Sequence, residues 1–296
     1  MVSPYRSVLA LALLSSMGAG CYPMNHEPES VDLSALDFDR ASITNTSGQV
    51  VIVPGEVAIL DAELAWSGGR RPELKVDVVS GELRVGFDCP PGMGSCGVDM
   101  DLVLPPGLPV EVDASSGSVV VDGMGSVVVD VSSGSVDVSS ASGDVDLKAS
   151  SGSLEVRKVT GSAVIEVSSG SVDVTEVSGD VDIQATSGTV RIDSVGGDLV
   201  VDASSGSVEA TNLTGQRAEV DASSGEINVA FLTPPANVDL DASSGNIDLR
   251  VPFGSYRVEA DTSSGDVTVE GLIQDPSAPS LLKAHASSGD VTILGF

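Results

Sequence analysis

Apolar and polar residues alternate with a strict beat through the middle of the chain. Val136 and Val138, Val145 and Leu147, Leu154 and Val156, Val172 and Val174, Val181 and Ile183, and Val190 and Ile192 are apolar pairs. Between the members of each pair stand Asp137, Asp146, Glu155, Asp173, Asp182 and Arg191. A period of two is that of a strand with one face inward and one toward water. Each pair begins two residues after a glycine, and from Gly125 to Gly215 the glycines recur every nine residues. One set closes Ser-Ser-Gly or Thr-Ser-Gly, at 117, 134, 152, 170, 188, 206, 225, 245, 265 and 289. The other follows an apolar and a small residue, as in Val159-Thr160-Gly161, Val177-Ser178-Gly179, Val195-Gly196-Gly197 and Leu213-Thr214-Gly215. The repeat is therefore 18 residues with two unlike halves.

One 18-residue unit reads as a coil of two short strands and two bends, the bends made by glycines that reach positive φ without penalty. A single coil cannot bury its apolar edge, so coils must stack. Ten coils at ~4.8 Å give a rod of roughly 45–50 Å, with Val and Ile ladders inside and parallel pairing between coils. Ser115, Ser132, Ser150, Ser168, Thr186 and Ser204 stack at one bend as a hydroxyl ladder. The fold class is all-β: a parallel β-solenoid (β-helix) over 113–296, with an irregular β region at 38–112 that supplies the opening coils and a cap. A disordered Ser/Gly linker would not keep Val in register. An antiparallel sandwich would not need an 18-residue identity period.

After Gly215 the Ser-Ser-Gly spacing lengthens to 19, 20, 20 and 24 residues. The added residues form edge loops at 231–237, 252–256 and 271–283, which bring Phe231, Phe253 and Tyr256 to one edge. Insertions on one face of a solenoid often bind, so these three are the candidate binding edge; the competing reading is that they fill a widening core. The last loop, with Pro276, Pro279, Leu281 and Leu282, is expected to fold over the terminal edge near Phe296.

The N-terminus changes the picture from fold to location. Residues 1–21 have Arg6, the apolar run Val8–Leu14 and the small residues Gly18, Ala19 and Gly20 before Cys21, the pattern of an export signal. The apolar run is too short to span a bilayer. The ending resembles a bacterial lipobox, with Gly18 where Leu is usual, which implies a lipidated Cys21. Cys89 and Cys96 lie seven residues apart and fit a disulfide in an oxidising compartment, leaving Cys21 unpaired. Tyr22 after the cysteine points to the outer membrane if the usual sorting rule holds. Residues 22–37 read as a tether.

Net charge is −29, from 43 acidic and 14 basic residues. Nucleic acid is excluded as a partner, because binding it needs cations to displace counterions. The charge also argues against electrostatic docking on anionic lipid; like charge keeps a strand-rich chain soluble. The two histidines and the missing nucleophile, phosphate and zinc motifs argue against an enzyme. Asp202, Asp221, Asp241 and Asp261, followed by His285, stand four residues before successive Ser-Ser-Gly glycines. Stacking puts them in a column about 5 Å apart, and oxygen-rich columns suit calcium. The sequence lacks the Gly-Gly-x-Gly-x-Asp bend of calcium-binding β-rolls. A solvated acidic face is therefore expected, with no metal site, no cofactor and at most weak calcium binding.

The run Leu102-Val-Leu-Pro-Pro-Gly-Leu-Pro-Val-Glu-Val-Asp-Ala-Ser-Ser-Gly117, the serial Ser-Gly-Asp-Val units and the closing Ala286-Ser-Ser-Gly-Asp-Val-Thr-Ile293 resemble the bacterial "putative adhesin" family of β-strand repeats over roughly 39–296. The resemblance implies an envelope-associated, non-enzymatic solenoid of largely unknown function, and no site residues carry over from it. The expectation is a lipid-anchored envelope protein with a structural or adhesion role, meeting envelope or surface components. The alternatives are a self-assembling scaffold, since 18-residue coils also build polymer-forming bacterial cytoskeletal proteins, and a glycan-binding or glycan-cleaving β-helix.

Overall fold

The computed structural model describes residues 24–68, 70–91 and 94–296, and among them every regular element is a strand. Strands Val110–Asp122, Val127–Ser139, Val145–Val159 and Ala163–Val177 lie side by side in parallel. The register puts like over like: Val129, Leu147, Ile165, Ile183, Val201, Val220 and Leu240 form one column. Val138, Val156, Val174, Ile192, Ala210, Val229 and Leu249 form the facing one. No member of either column is more than 2% exposed. This is the solenoid core, and burial of branched aliphatics at about 1.5–3 kcal/mol each holds it together.

The corners differ from expectation. In the four strands above, the two halves fuse into single strands of 13 to 15 residues that run through Ser-Ser-Gly. Gly134, Gly152 and Gly170 have φ between 141° and 148° and bend the strand without breaking its ladder. Each glycine also touches the one before it: a Cβ on Gly188 would sit 1.5 Å from the carbonyl oxygen of Gly170.

At the opposite corner the sequence points to Gly161, Gly179, Gly197 and Gly215 as the left-handed residues, and the structure corrects this. The left-handed residue is the one three positions earlier. Ser140, Lys158, Glu176, Ser194 and Asn212 have φ of 56–62°. The glycines are needed for space instead, since a Cβ on Gly179 would lie 2.6 Å from the Gly161 oxygen. A left-handed residue with a Cβ costs about 1–2 kcal/mol, part of which glycine returns as unfolded-chain entropy. Glu176→Gly is therefore expected to stabilise the protein by about 0.5–1 kcal/mol. A lower urea midpoint than that of the parent chain would contradict this.

Both ends of the rod depart from serial order. Arg40–Asn45 and Val50–Pro54 pair in parallel with Val110–Asp122 on one side. On the other they pair in parallel with Glu82–Asp88 and Ser95–Leu104. The first coil in sequence is thus the second layer in space. The outer layer is capped by antiparallel strands: Glu73–Val79 on Glu82–Asp88, Ile59–Ser67 on Ser95–Leu104, and Asn25–Asp32 on Ile59–Ser67. The stretch expected as a tether at 22–37 therefore contains an edge strand from Asn25 to Asp32. Its Glu27, Pro28 and Glu29 suit an edge that must not recruit another chain.

At the far end, Leu281–Ala286 pairs with Asn237–Ser244 on one side and Ser255–Thr262 on the other. Val291–Gly295 likewise lies between Ile247–Val251 and Val267–Glu270. The last coil is inserted, and the coil before it forms the end of the rod. Phe296 does not meet a loop over the terminal edge: its backbone N–H donates to Val251 (3.1 Å) and its carbonyl accepts from Phe253 (2.8 Å). The segment Ile273–Gln274 covers only Ser255 and Tyr256 of the end strand.

Candidate functional site

The distinctive surfaces gather where the coils lengthen. Of the three aromatics expected on a binding edge, Phe231 and Tyr256 are core residues, each 1% exposed. The Tyr256 hydroxyl donates to the Pro252 carbonyl at 2.8 Å, which ties the step over the inserted layer to the core. These two side chains fill the wider coils, and only Phe253 faces water, at 66% exposure. The residues that join it are Leu232 and Phe296, both exposed. Leu232 and Phe296 line a corner groove of about 840 Å³ with Arg250, Glu270 and Leu294. Leu232 was legible in principle: it follows inward Phe231 by one residue and so must point outward.

The aspartates do form a column, but not in sequence order. Asp202 pairs with Asp221, Asp221 with Asp241, Asp241 with His285, and His285 with Asp261. His285 is therefore inside the column rather than at its end, with Nδ1 2.7 Å from Oδ2 of Asp261. In the neighbouring column Glu219 and Asp239 are followed by Lys283 and then Glu259. The Lys283 ammonium donates to both Asp239 oxygens at 2.9 Å. That hydrogen bond, followed by the charges of Asp239, Asp241 and Asp221, holds the Lys283 ammonium above its ordinary range. Among the described residues, no group of three or more His, Cys, Asp or Glu side chains converges on a cation-sized space.

Partial desolvation, then the carboxylates of Asp241, Glu219, Asp202 and Asp239, raise Asp221 above the usual carboxylate range. Folded Asp221 binds its proton more tightly than the unfolded chain does. Its contribution to stability is thus full in acid and falls as pH rises from the ordinary carboxylate range through the raised value. Asp193 opposes it: hydrogen bonds, first from Thr211 and also from Asn212 and Ser194, lower its range, so its contribution is lost in acid. Asp221 is solvent-exposed, which screens the effect. Asp221→Asn is expected to stabilise the protein at pH 7 by about 0.5 kcal/mol, and by less at pH 4. Equal gains at both pH values in urea titrations would refute the charge explanation.

Upstream, Lys148, Glu166 and Gln184 run beside Ser150, Ser168 and Thr186 along a shallow polar groove of about 410 Å³. The hydroxyl side chains are exposed at the Ser-Ser-Gly bend. Cys89 and Cys96 are joined by a disulfide with Cα atoms 6.1 Å apart, closing the loop between Glu82–Asp88 and Ser95–Leu104. Cys21 and the signal-like 1–21 stretch lie outside the described residues. No helix among the described residues is long and apolar enough to cross a membrane.

No curated protein matches the chain. Several solved structures are similar to it. A "putative cell adhesion protein" from Clostridium sporogenes ATCC 15579 is 11% identical, covers 93% of this chain and 100% of that one, and has a TM-score of 0.23. A "putative lipid binding protein" from Parabacteroides distasonis ATCC 8503 is 13% identical, with 90% and 96% covered and a TM-score of 0.35. A "putative adhesin" from Bacteroides fragilis NCTC 9343 is 13% identical, with 90% and 97% covered and a TM-score of 0.30. At such scores the likenesses carry nothing about function. The family match is shorter than the 39–296 span of the sequence resemblance, although the same ladders continue upstream to Val110–Asp122. Residues 159–294, under half of the chain, match the Toastrack DUF4097 family, whose fold is β-solenoid-like.

Proposed function

We propose that this protein is a non-enzymatic lipoprotein of the cell envelope, anchored through Cys21 in the outer membrane, whose solenoid serves adhesion or structure. The observation that carries this reading is the unbroken parallel ladder from Val110 to Leu249, which makes a stiff body whose surfaces are lines of repeated side chains. Such lines suit extended contact with a polymer or a neighbouring surface more than turnover of a small molecule. The Cys89–Cys96 disulfide agrees with an oxidising compartment. Adhesion would use the corner with Leu232, Phe253 and Phe296, or the polar groove beside Lys148 and Glu166.

The test is mass spectrometry of the mature N-terminus, paired with envelope fractionation. Acylation at Cys21 is expected, and Cys21→Ala should move the protein from the membrane fraction to the soluble one. An unmodified Cys21 retained in the mature chain, or an unchanged distribution of the variant, refutes the anchor. Pull-down from envelope extracts with the rod as bait, repeated with Phe253→Ser, reads the adhesive role separately. A second reading, self-assembly, is favoured by the outer edge of the 255–270 coil, which is unpaired along most of its length among the described residues. Filaments that grow with protein concentration would place it first.

A further inference from the structure

The inserted last coil occupies a slot whose walls are acidic. Across the slot, Asp241 would face Asp261 and Asp239 would face Glu259 if the 255–270 coil stacked directly on the 237–251 coil. Two like-charge pairs in adjacent columns weaken that contact, as Glu219–Asp239 and Asp221–Asp241 weaken the directly stacked interface of the coil before it. The inserted strand carries a basic side chain at each of these rows: the Lys283 ammonium between Asp239 and Glu259, and the His285 imidazole, a hydrogen-bond partner of Asp261, between Asp241 and Asp261. Its inward Leu282, Ala284 and Ala286 are fully buried. The strand therefore matches the slot in apolar register and in charge, while the neighbouring coil matches only in apolar register. Discrimination of this kind needs a repulsive element as well as an attractive one, and the facing carboxylates supply it.

The strand is also separable. It hangs on a ten-residue connection, 271–280, whose one strand pairing is that of Ile273–Gln274 with Ser255–Tyr256. It is also held by backbone pairing to the two walls, by the apolar contacts and charges just named, and by three hydrogen bonds at its bend: Asp290 N–H donates to Asn246 Oδ1, Asp266 N–H donates to Asp290 Oδ1, and the Thr262 hydroxyl donates to the Gly289 carbonyl.

We propose that the slot between coils 237–251 and 255–270 is a receptor for a β-coil that sets Lys283 and His285 against its acidic walls, filled in cis by residues 281–296 and able to take residues 281–296 from a second copy of this chain. Exchange of an identical element between copies requires no new contact, because each interface is the one already present. The occupant is read by Lys283 and His285 as much as by its leucines and valines. The proposal does not depend on where the protein resides.

The test uses the full chain with a protease site placed at Ser277–Ala278 and cut after folding. A fluorescent peptide of residues 281–296 is added, and its anisotropy is followed while the cut segment is displaced. The wild-type peptide is expected to enter, and a peptide with Lys283→Glu and His285→Asp to bind about tenfold or more weakly, since it sets a carboxylate against both walls at each of the two rows. Failure of the wild-type peptide to enter, or equal entry of both, overturns the proposal. If cutting unfolds the rod, the uncut chain with Lys283→Glu and His285→Asp is read by hydrogen exchange. Loss of protection over 281–295, with 199–231 unchanged, is expected. Unchanged protection over 281–295 shows that charge does not select the occupant.

Discussion

Gly188→Ala is expected to lower stability by about 4 kcal/mol, enough to unfold a marginal domain. Two effects add. The residue has φ of 131°, which side-chain-bearing residues rarely adopt. A Cβ would also lie 1.5 Å from the Gly170 oxygen and 2.6 Å from its carbonyl carbon, backbone atoms that cannot move without opening the ladder. Gly107→Ala separates the two effects. Gly107 has φ of 75°, and a Cβ there would meet nothing within 4 Å, so only the conformational cost of about 1 kcal/mol applies. Equilibrium unfolding of both variants reads the difference. Similar losses at the two positions would mean that the glycine column is required for its dihedral alone.

Removal of residues 281–296 is expected to cost roughly 5 kcal/mol and to lower Tm by about 10–20 °C. The deletion exposes neighbours of Leu282, Val291 and Ile293, all fully buried, which at about 1.5–3 kcal/mol each account for the loss. It also empties a layer bonded on both sides, so the coil at 255–270 loses the wall it pairs with. Hydrogen exchange should show protection lost over 255–270 as well, although those residues are still present. Retained protection there would mean that the 255–270 coil can close directly on 237–251 despite Asp241 facing Asp261 and Asp239 facing Glu259.

The aliphatic columns were legible because two periods coincide in them. Alternation by two fixes which residues face inward, and the 18-residue spacing fixes which of them meet. The reading fails where local signals are silent. Glu176 takes a left-handed conformation for which glutamate has no preference, because the corner geometry repeats from coil to coil and overrides the residue. Asn25–Asp32 looks like a linker, with Pro28 among acids, and becomes a strand only because Ile59–Ser67, far along the chain, offers an edge. The step of 24 residues into the inserted coil reads as one more edge loop, so spacing alone gives the serial order. The trace that tells order is chemical: Lys283 and His285 are basic residues in columns that are otherwise acidic around them. At the binding edge, composition singled out Phe231 and Tyr256 as scarce aromatics. Their burial follows from wider coils that need larger side chains, and that demand appears only once the coils are stacked.

The interleaving at both ends bears on how such a molecule changes length. A copy of the repeat appended after Phe296, or before Arg40, would start from a layer already flanked by neighbours on both sides and find no free edge there. Between Val110 and Val251, by contrast, consecutive layers follow one another in simple sequence. Duplication or loss of one unit is tolerated only in that interior stretch, so families of this design should vary in the number of turns at the middle while their two termini stay the same.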